Sequence, residues 1–240
     1  LFGEDSGLEV EEIKIPHCES WGTLERLKQE KEVVGIYLSA HPLDDFKREM
    51  KYFSSAPLTA LNDLDPLVNR ELSFGGIVNA VDHRVSKTGK GWAIFQLEDF
   101  ADQYEFKIFG EEYLKYRHFL IPNGFIRLRV KVVEGWRNRE TGKVGAPRMQ
   151  FNGFEMLHDT LANNVKRLTL QLDIHQLNED RVAQISEIIR SFKGEKPLMV
   201  DVFHSEEKIK LTLPSRKQKV QVTNEFLQLL EEVDLPYKLN

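Results

Sequence analysis

The amino-acid sequence predicts a multidomain α+β chain: an N-terminal helical segment, a five-stranded β-barrel and a small C-terminal βαββα domain. Three observations predict it. Near the N-terminus apolar residues recur close to helical spacing, with Leu24, Leu27, Val34, Tyr37 and Leu38 marking one face. Between 71 and 158 the period drops to two: Ile126, Leu128, Val130 and Val132 alternate with Arg127, Arg129 and Lys131, as a sheet with one buried face requires. Beyond 163 strand-like and helix-like stretches alternate. With 240 residues, 41% of them hydrophobic and 15 of them Phe, the chain has material for several small cores. No apolar run reaches the roughly 18 residues that a membrane-spanning helix needs.

The first segment, 1–68, opens with a polar stretch to Ser20. A helix follows from Thr23, read as its N-cap, and runs toward His41-Pro42; the residue before a proline is pushed out of the α region, which stops it. A second short helix is expected over 43–52, and 57–66 reads as a connector. The second segment, 71–158, holds five β-like runs at 71–84, 91–99, 104–109, 125–136 and 148–157, with a short helix at 111–120 ended by Pro122-Asn123-Gly124. Three strands, one helix and two strands is the layout of an OB-fold. The third segment, 163–240, begins with a strand at 165–174 that sets Leu168, Leu170 and Leu172 on one face. A helix at 178–192 carries Val182, Ile185, Ile188 and Ile189, closed by Gly194 as C′ residue. A hairpin of 197–204 and 208–213 and a helix at 224–233 complete the pattern.

Charge separates these segments. The formal net charge is -5, which argues against a generally basic nucleic-acid binder, but residues 84–148 carry 13 basic and 8 acidic side chains. The middle of the chain is therefore a basic island between acidic flanks. The one cysteine, Cys18, allows no internal disulfide and no cysteine-based zinc or iron–sulfur site, and a reducing cytoplasm is the compartment expected. The N-terminus has neither the basic nor the apolar region of a signal peptide. It also lacks an initiator methionine, which is read as the mark of a piece of something longer.

Single-stranded nucleic acid is held by cations that follow the phosphates and by aromatic faces on which bases stack. In an OB-fold the platform is strands two and three, flanked by the loops joining strands one to two and four to five. Here the first loop supplies Arg84, Lys87 and Lys90, and the second supplies Arg137, Arg139 and Lys143. If Ala93, Phe95 and Leu97 point into the barrel, Trp92, Ile94 and Gln96 point outward; on the third strand Phe106 and Ile108 point in, Glu105 and Lys107 out. Trp92 is then either a stacking residue with Lys107 as a neighbouring cation, or a residue packed beneath the first loop. Arg127, Arg129 and Lys131 are expected to solvate the barrel exterior.

No catalytic pattern accompanies this constellation. Lys87-Thr88-Gly89-Lys90 lacks the spacing of a phosphate loop and leads into a strand rather than a helix. The seven histidines are scattered, Asp44-Asp45 and Glu98-Asp99 are neighbours that face different ways, and Ser39, Ser73 and Ser86 lack a nucleophile-elbow context. The expectation is a binding module with no cofactor of its own.

One stretch carries a more specific signal. Glu30-Lys31-Glu32-Val33-Val34-Gly35-Ile36-Tyr37-Leu38-Ser39-Ala40-His41-Pro42-Leu43-Asp44 closely resembles a segment of the bacterial replicative DNA polymerase III alpha subunit family, between its clamp-binding region and its OB-fold. Gly76-Ile77-Val78, the run from Lys87 to Asp99, and Phe106 to Phe109 resemble the family's OB domain, and the βαββα pattern is similar to its C-terminal domain. The resemblance implies a parent that is a DNA-directed DNA polymerase using magnesium and deoxynucleotides, with its catalytic carboxylates in a palm upstream of this chain. It implies an OB domain that meets single-stranded template and a C-terminal domain whose candidate partner is the tau subunit of the clamp loader. Leu1-Phe2 looks like the end of the family's sliding-clamp peptide with its start cut off. No membrane partner is implied. Two other readings stay open: a protein-docking scaffold with the barrel as spacer, and an RNA-binding OB module of the tRNA-synthetase type.

Overall fold

The computed structural model describes residues 20–137, 142–204 and 206–240. The chain divides into two units, Leu1–Pro42 and Leu43–Asn240. In the first, helix α1 spans Thr23–Val34. Thr23 lies inside the helix: the residue before it, Gly22, is extended and no side chain caps the turn. The helix also stops short of His41-Pro42. Gly35 adopts φ 87° and its N–H donates to the Lys31 carbonyl, an ending that only a residue without Cβ takes cheaply. The chain then folds back. The Glu30 carboxylate accepts from the N–H groups of Leu38 and Ser39 at 3.2 and 3.0 Å and from the Ser39 hydroxyl. These bonds hold its carboxyl below the usual carboxylate range. The helical spacing of Tyr37 and Leu38 was therefore coincidental.

The second unit opens with a 3₁₀ turn at Asp44–Phe46 and helix α2 at Lys47–Phe53. Five strands follow: β1 Glu71–Val85, β2 Gly91–Glu98, β3 Gln103–Phe109, β4 Phe125–Val133 and β5 Arg148–Met156. They form one antiparallel sheet in the order β3-β2-β1-β4-β5. Long β1 serves both halves, pairing with β4 over its first part and β2 over its second, with an irregularity at Val78/Ala80 near the start of the β2 pairing. Gly76 permits the close approach there, since a Cβ would stand 2.5 Å from the Glu98 carbonyl oxygen.

The two ends of that order curl toward each other. Phe106 of β3 lies 6.0 Å from Phe151 of β5, and Phe95 of β2 lies 5.1 Å from Phe106 and 6.3 Å from Phe151. Each such ring stabilises the fold by roughly 1.5–3 kcal/mol on full burial. Helix α3, Gly110–Tyr116, continues into a 3₁₀ turn at Arg117–Phe119 and buries Tyr113 and Tyr116 in this core. Its Glu112 accepts the Phe151 N–H at 3.1 Å, satisfying an edge donor of β5; burial raises the Glu112 pKa despite that bond and nearby Arg148. The expected connector at 57–66 is instead structured. Two 3₁₀ turns lie here: Leu58–Asn62 inserts Leu58 and Leu61 into the core of the first sheet, and Asp65–Leu67 packs Leu67 against it. Buried Asp99 fastens the first of them, accepting from the N–H groups of Leu58, Ala101 and Asp102 at 2.7–2.9 Å.

Helix α4, Leu157–Asn164, unforeseen in the sequence, leads to a second sheet. Strand β6 is Leu168–Asp173, helix α5 Glu179–Ser191, β7 Lys193–His204, β8 Ile209–Val220, helix α6 Asn224–Glu232 and β9 Tyr237–Leu239. The order is β8-β7-β6-β9, with β6 and β7 parallel and the other pairs antiparallel. Asn178 and Thr223 cap α5 and α6 through their side chains. Gly194 is not a helix cap. It lies in β7, where a Cβ would meet the Gln221 backbone nitrogen at 2.4 Å. Leu168, Leu170, Ile185, Leu198, Phe226, Leu227 and Leu230 form the core of this part.

Polar bonds join the two sheets' surroundings. Arg48 of α2 reaches Glu231 of α6 at 2.6 Å, Tyr237 donates to the same carboxylate at 2.7 Å, and Asn224 donates to buried Glu49 at 2.7 Å. Arg127 departs from expectation. It does not solvate the exterior: its side chain is only 11% exposed and bonds Glu155, Asn164, the Phe53 carbonyl and the Ser73 hydroxyl. Arg129 and Lys131 are exposed as expected. Among the described residues no helix is long and apolar enough to cross a membrane.

Candidate nucleic-acid interface

The parity read from the sequence holds across β2 and β3. Ala93, Phe95, Leu97, Phe106 and Ile108 are fully buried, so their neighbours occupy the outer face. Strand register arranges that face in rows. Arg84 pairs with Trp92 and Trp92 with Phe109; Asp82 pairs with Ile94 and Ile94 with Lys107; Ala80 pairs with Gln96 and Gln96 with Glu105. The first row is a stack in its own right. The Trp92 and Phe109 rings lie 5.3 Å apart and 18° from parallel, with the Arg84 guanidinium 5.3 Å from the Trp92 ring centre. Phe109 remains 55% exposed, which leaves an aromatic face for a further flat ring.

Charge on the platform is largely self-paired. Arg84 bonds Asp82 at 2.5–2.7 Å, which raises its pKa further, and Lys107 reaches Glu105 at 3.4 Å. The positive surplus therefore belongs to the loops. Between β1 and β2 the loop is a tight turn: the Ser86 N–H donates to the Lys90 carbonyl and the Gly89 N–H to the Ser86 carbonyl, each at 2.9 Å, and Gly89 takes φ 78°. That turn holds up Lys87 and Lys90, both exposed. Arg84 is a strand residue rather than a loop residue.

The loop between β4 and β5 lies elsewhere along β1. Val85 pairs with Gly91 at one end of β1, whereas Glu71 pairs with Lys131 near the β4–β5 loop at the other. There Arg137 bridges to Val144, and the Gly145 N–H donates to the Trp136 carbonyl at 3.0 Å. Trp136 is 78% exposed, with the Arg148 guanidinium 4.5 Å from its ring centre. Register thus gathers Arg84, Lys87, Lys90, Trp92 and Lys107 around one end of β1 and sets Arg137 and Lys143 beside Trp136 at the other. Arg139, Leu1 and Phe2 lie outside the described residues.

Sequence reasoning missed three members of these clusters. Phe109 was accessible to it, because the alternation that turned Glu105 and Lys107 outward turns Phe109 outward too. Trp136 and Arg148 flank the second loop, but their contact across it depends on the hairpin closing. A magnesium site of the kind implied for the parent needs converging oxygen donors. Among the described residues no three of His, Cys, Asp or Glu stand together so as to hold a metal ion, and these residues do not fit one.

Fold and site together define a mixed α+β chain with two sheets, the first presenting a cation–aromatic row and basic loops. Residues 168–240 match the family described as "DNA polymerase III alpha subunit, C-terminal domain". Proteins named "DNA polymerase III subunit alpha" are similar: that of Pseudomonas aeruginosa is 25% identical over 210 residues, 87% of this chain and 17% of its own length. That of Borreliella burgdorferi is 37% identical over 103 residues, 42% of this chain and 9% of its own. That of Mycobacterium tuberculosis is 31% identical over 120 residues, 50% of this chain and 10% of its own. The resemblance to the C-terminal portion of the DNA polymerase III alpha subunit is borne out, and the chain spans about a tenth of the length of the first relatives it matches. A solved structure described as "Structure of RecG bound to three-way DNA junction" is 16% identical over 56% of this chain and 17% of its own, at a TM-score of 0.26, too low to bear on the fold.

Proposed function

We propose that this chain is a non-catalytic C-terminal part of a replicative, DNA-directed DNA polymerase, acting in the cytoplasm, and that its first sheet is an OB-fold barrel binding single-stranded template. The observation that carries the reading is the Arg84–Trp92–Phe109 row beside the lysine turn. Bases stack on Trp92 and Phe109, Lys87, Lys90 and Lys107 meet phosphates, and the second loop with Arg137, Arg139 and Lys143 extends the track. Base–aromatic stacking contributes about 1–3 kcal/mol per base and tolerates any sequence. Proposed domain limits are 1–68, 71–158 and 163–240. The last would dock replisome partners, with the clamp-loader tau subunit as candidate; Leu1-Phe2 would be the remnant of a sliding-clamp peptide. Magnesium and the nucleotidyl transfer it supports belong to a palm elsewhere in the parent.

The test is fluorescence anisotropy of the chain with labelled oligo-dT over a salt titration. Trp92→Ala with Phe109→Ala should cost about 1–3 kcal/mol of binding per base lost. Replacing Arg137, Arg139 and Lys143 by Ala should flatten the slope of log affinity against log salt by about 2, since single strands release roughly 0.7 counterion per contact. Unchanged affinity in both variants would remove the interface. The self-pairing of Arg84 with Asp82 and Lys107 with Glu105 favours a second reading, a barrel acting as spacer in a docking scaffold. Absence of oligo-dT binding by the unaltered chain would select it.

A further inference from the structure

The second sheet ends in an unusual edge. Strand β8 is terminal in the order β8-β7-β6-β9, so one side of its backbone has no strand partner among the described residues. The apolar rows of the sheet run out onto it: Leu170 pairs with Val200 and Val200 with Leu213, and Leu172 pairs with Val202 and Val202 with Leu211. Helices α5 and α6 cover the β6 end of these rows, where Leu170 is fully buried with Ile185, Phe226 and Leu227. At the β8 end Ile209, Leu211 and Leu213 are 57, 56 and 44% exposed. The same stretch is strongly basic. Lys208, Lys210, Arg216, Lys217 and Lys219 fall within 208–220, which contains no acidic residue. Lys210 is engaged by Asp201 at 2.8 Å, whereas Lys208, Arg216, Lys217 and Lys219 form no ion pair among the described residues.

We propose that β8 is a docking edge for an acidic, extended segment of a partner protein, which adds a strand to the sheet and places alternate apolar side chains on Ile209, Leu211 and Leu213. Backbone bonds supply affinity in such strand addition, and alternate side chains supply specificity. Charge decides the occupant. A second copy of this chain would set one basic strand against another, and like charges across a strand pair repel, so the lysines that bar self-pairing favour an acidic partner. Single-stranded DNA would use the cations but not the aliphatic stripe, and the edge offers no aromatic face for bases. The assignment deepens the docking reading of the C-terminal domain given above by naming the surface and the partner's chemistry.

The test uses the whole chain and a short labelled peptide alternating glutamate with valine, beside a version interrupted by proline and labelled oligo-dT. The alternating peptide should bind and the proline version should not. Lys217→Glu with Lys219→Glu should weaken peptide binding by roughly tenfold or more, as charge reversal at an interface does, and leave oligo-dT binding unchanged. Leu211→Glu should do likewise; if circular dichroism shows it unfolded, the lysine variant decides alone. Failure of the peptide to bind, equal binding by the variants, or loss of oligo-dT binding instead would each overturn the proposal. Tau captured equally by the unaltered chain and the lysine variant would leave docking standing and overturn only the β8 assignment.

Discussion

The first sheet curls until Phe106 and Phe151, from its two terminal strands, share one core, whereas the second stays open and carries its apolar rows to an exposed edge. The difference lies in what covers the terminal strands. In the first, α3 lies between β3 and β4 in sequence and Glu112 takes up a β5 edge donor; the turns at Leu58–Asn62 and Asp65–Leu67 fill the core from outside the sheet. In the second, the core reaches β8 only at its Val220 end, and Ile209, Leu211 and Leu213 stay exposed. A sheet curled over its own core offers ligands chiefly its outer side chains and loops, while an exposed edge strand offers its backbone as well. The proposed division of labour, nucleic acid on one and protein on the other, follows that contrast.

Removing one apolar side chain from each sheet should have the most unequal effects. Phe106→Ala should destabilise the protein by about 3–5 kcal/mol, because the aromatic cluster cannot collapse around the space. Leu211→Ala should stay within about 0.5 kcal/mol, as an exposed substitution does. Denaturant unfolding followed by tryptophan fluorescence and circular dichroism measures both; comparable losses would mean that β8 is covered in solution. A smaller effect is expected between two arginines on β4. Arg127→Ala should cost roughly 2–3 kcal/mol, since it leaves Glu155 and several part-buried acceptors without their charged donor, whereas exposed Arg129→Ala should cost about 0.5 kcal/mol or less. Equal effects in the same unfolding assay would reduce Arg127 to surface decoration.

The smallest expected effect concerns the joint between α2 and α6, where neighbouring residues titrate in opposite senses. Burial raises the Glu49 pKa above 4.5, outweighing its bond from Asn224 and the nearby Arg48 charge. Its second carboxyl oxygen and the Asn224 carbonyl oxygen are both buried without a hydrogen-bond partner. A proton on Glu49 supplies one. Its contribution to stability is thus full below the unfolded carboxylate pKa and lost as pH rises through the folded one. Arg48 pulls the Glu231 pKa below 4.5, so that contribution is present above the unfolded value and lost as pH falls through the folded one. Stability of Glu49→Gln measured from acid to neutral pH should lack the decline on the alkaline side that the unaltered chain shows. A parallel decline in both would place the titration elsewhere.

Much of the first sheet was legible in the sequence because alternation reports directly which side of a strand is dry. Trp92 and Lys107 were turned outward correctly from the burial needs of Phe95 and Phe106 alone. Carrying the same parity one step further reaches Phe109. Helix ends were less legible: Gly35 closes α1 where an apolar period seemed to continue, and Gly194 sits in a strand. Glycine answers to both left-handed backbone and close approach, and composition does not say which. Nothing local marks Arg127 as a pin, because Glu155 and Asn164 lie 28 and 37 residues away.

The sequence by itself determined the strands of the first sheet, their dry faces, the basic loops and the likeness to a polymerase subunit, since each is written in neighbouring residues. Only the tertiary structure decided which outward residues meet. Register set Arg84 beside Trp92 and Trp92 beside Phe109, gave Arg84 and Lys107 to carboxylates, and left β8 at an edge with its lysines and leucines uncovered. Alternation states that a side chain is exposed; the partner across the strand, set by pairing between distant segments, determines what that exposure can bind.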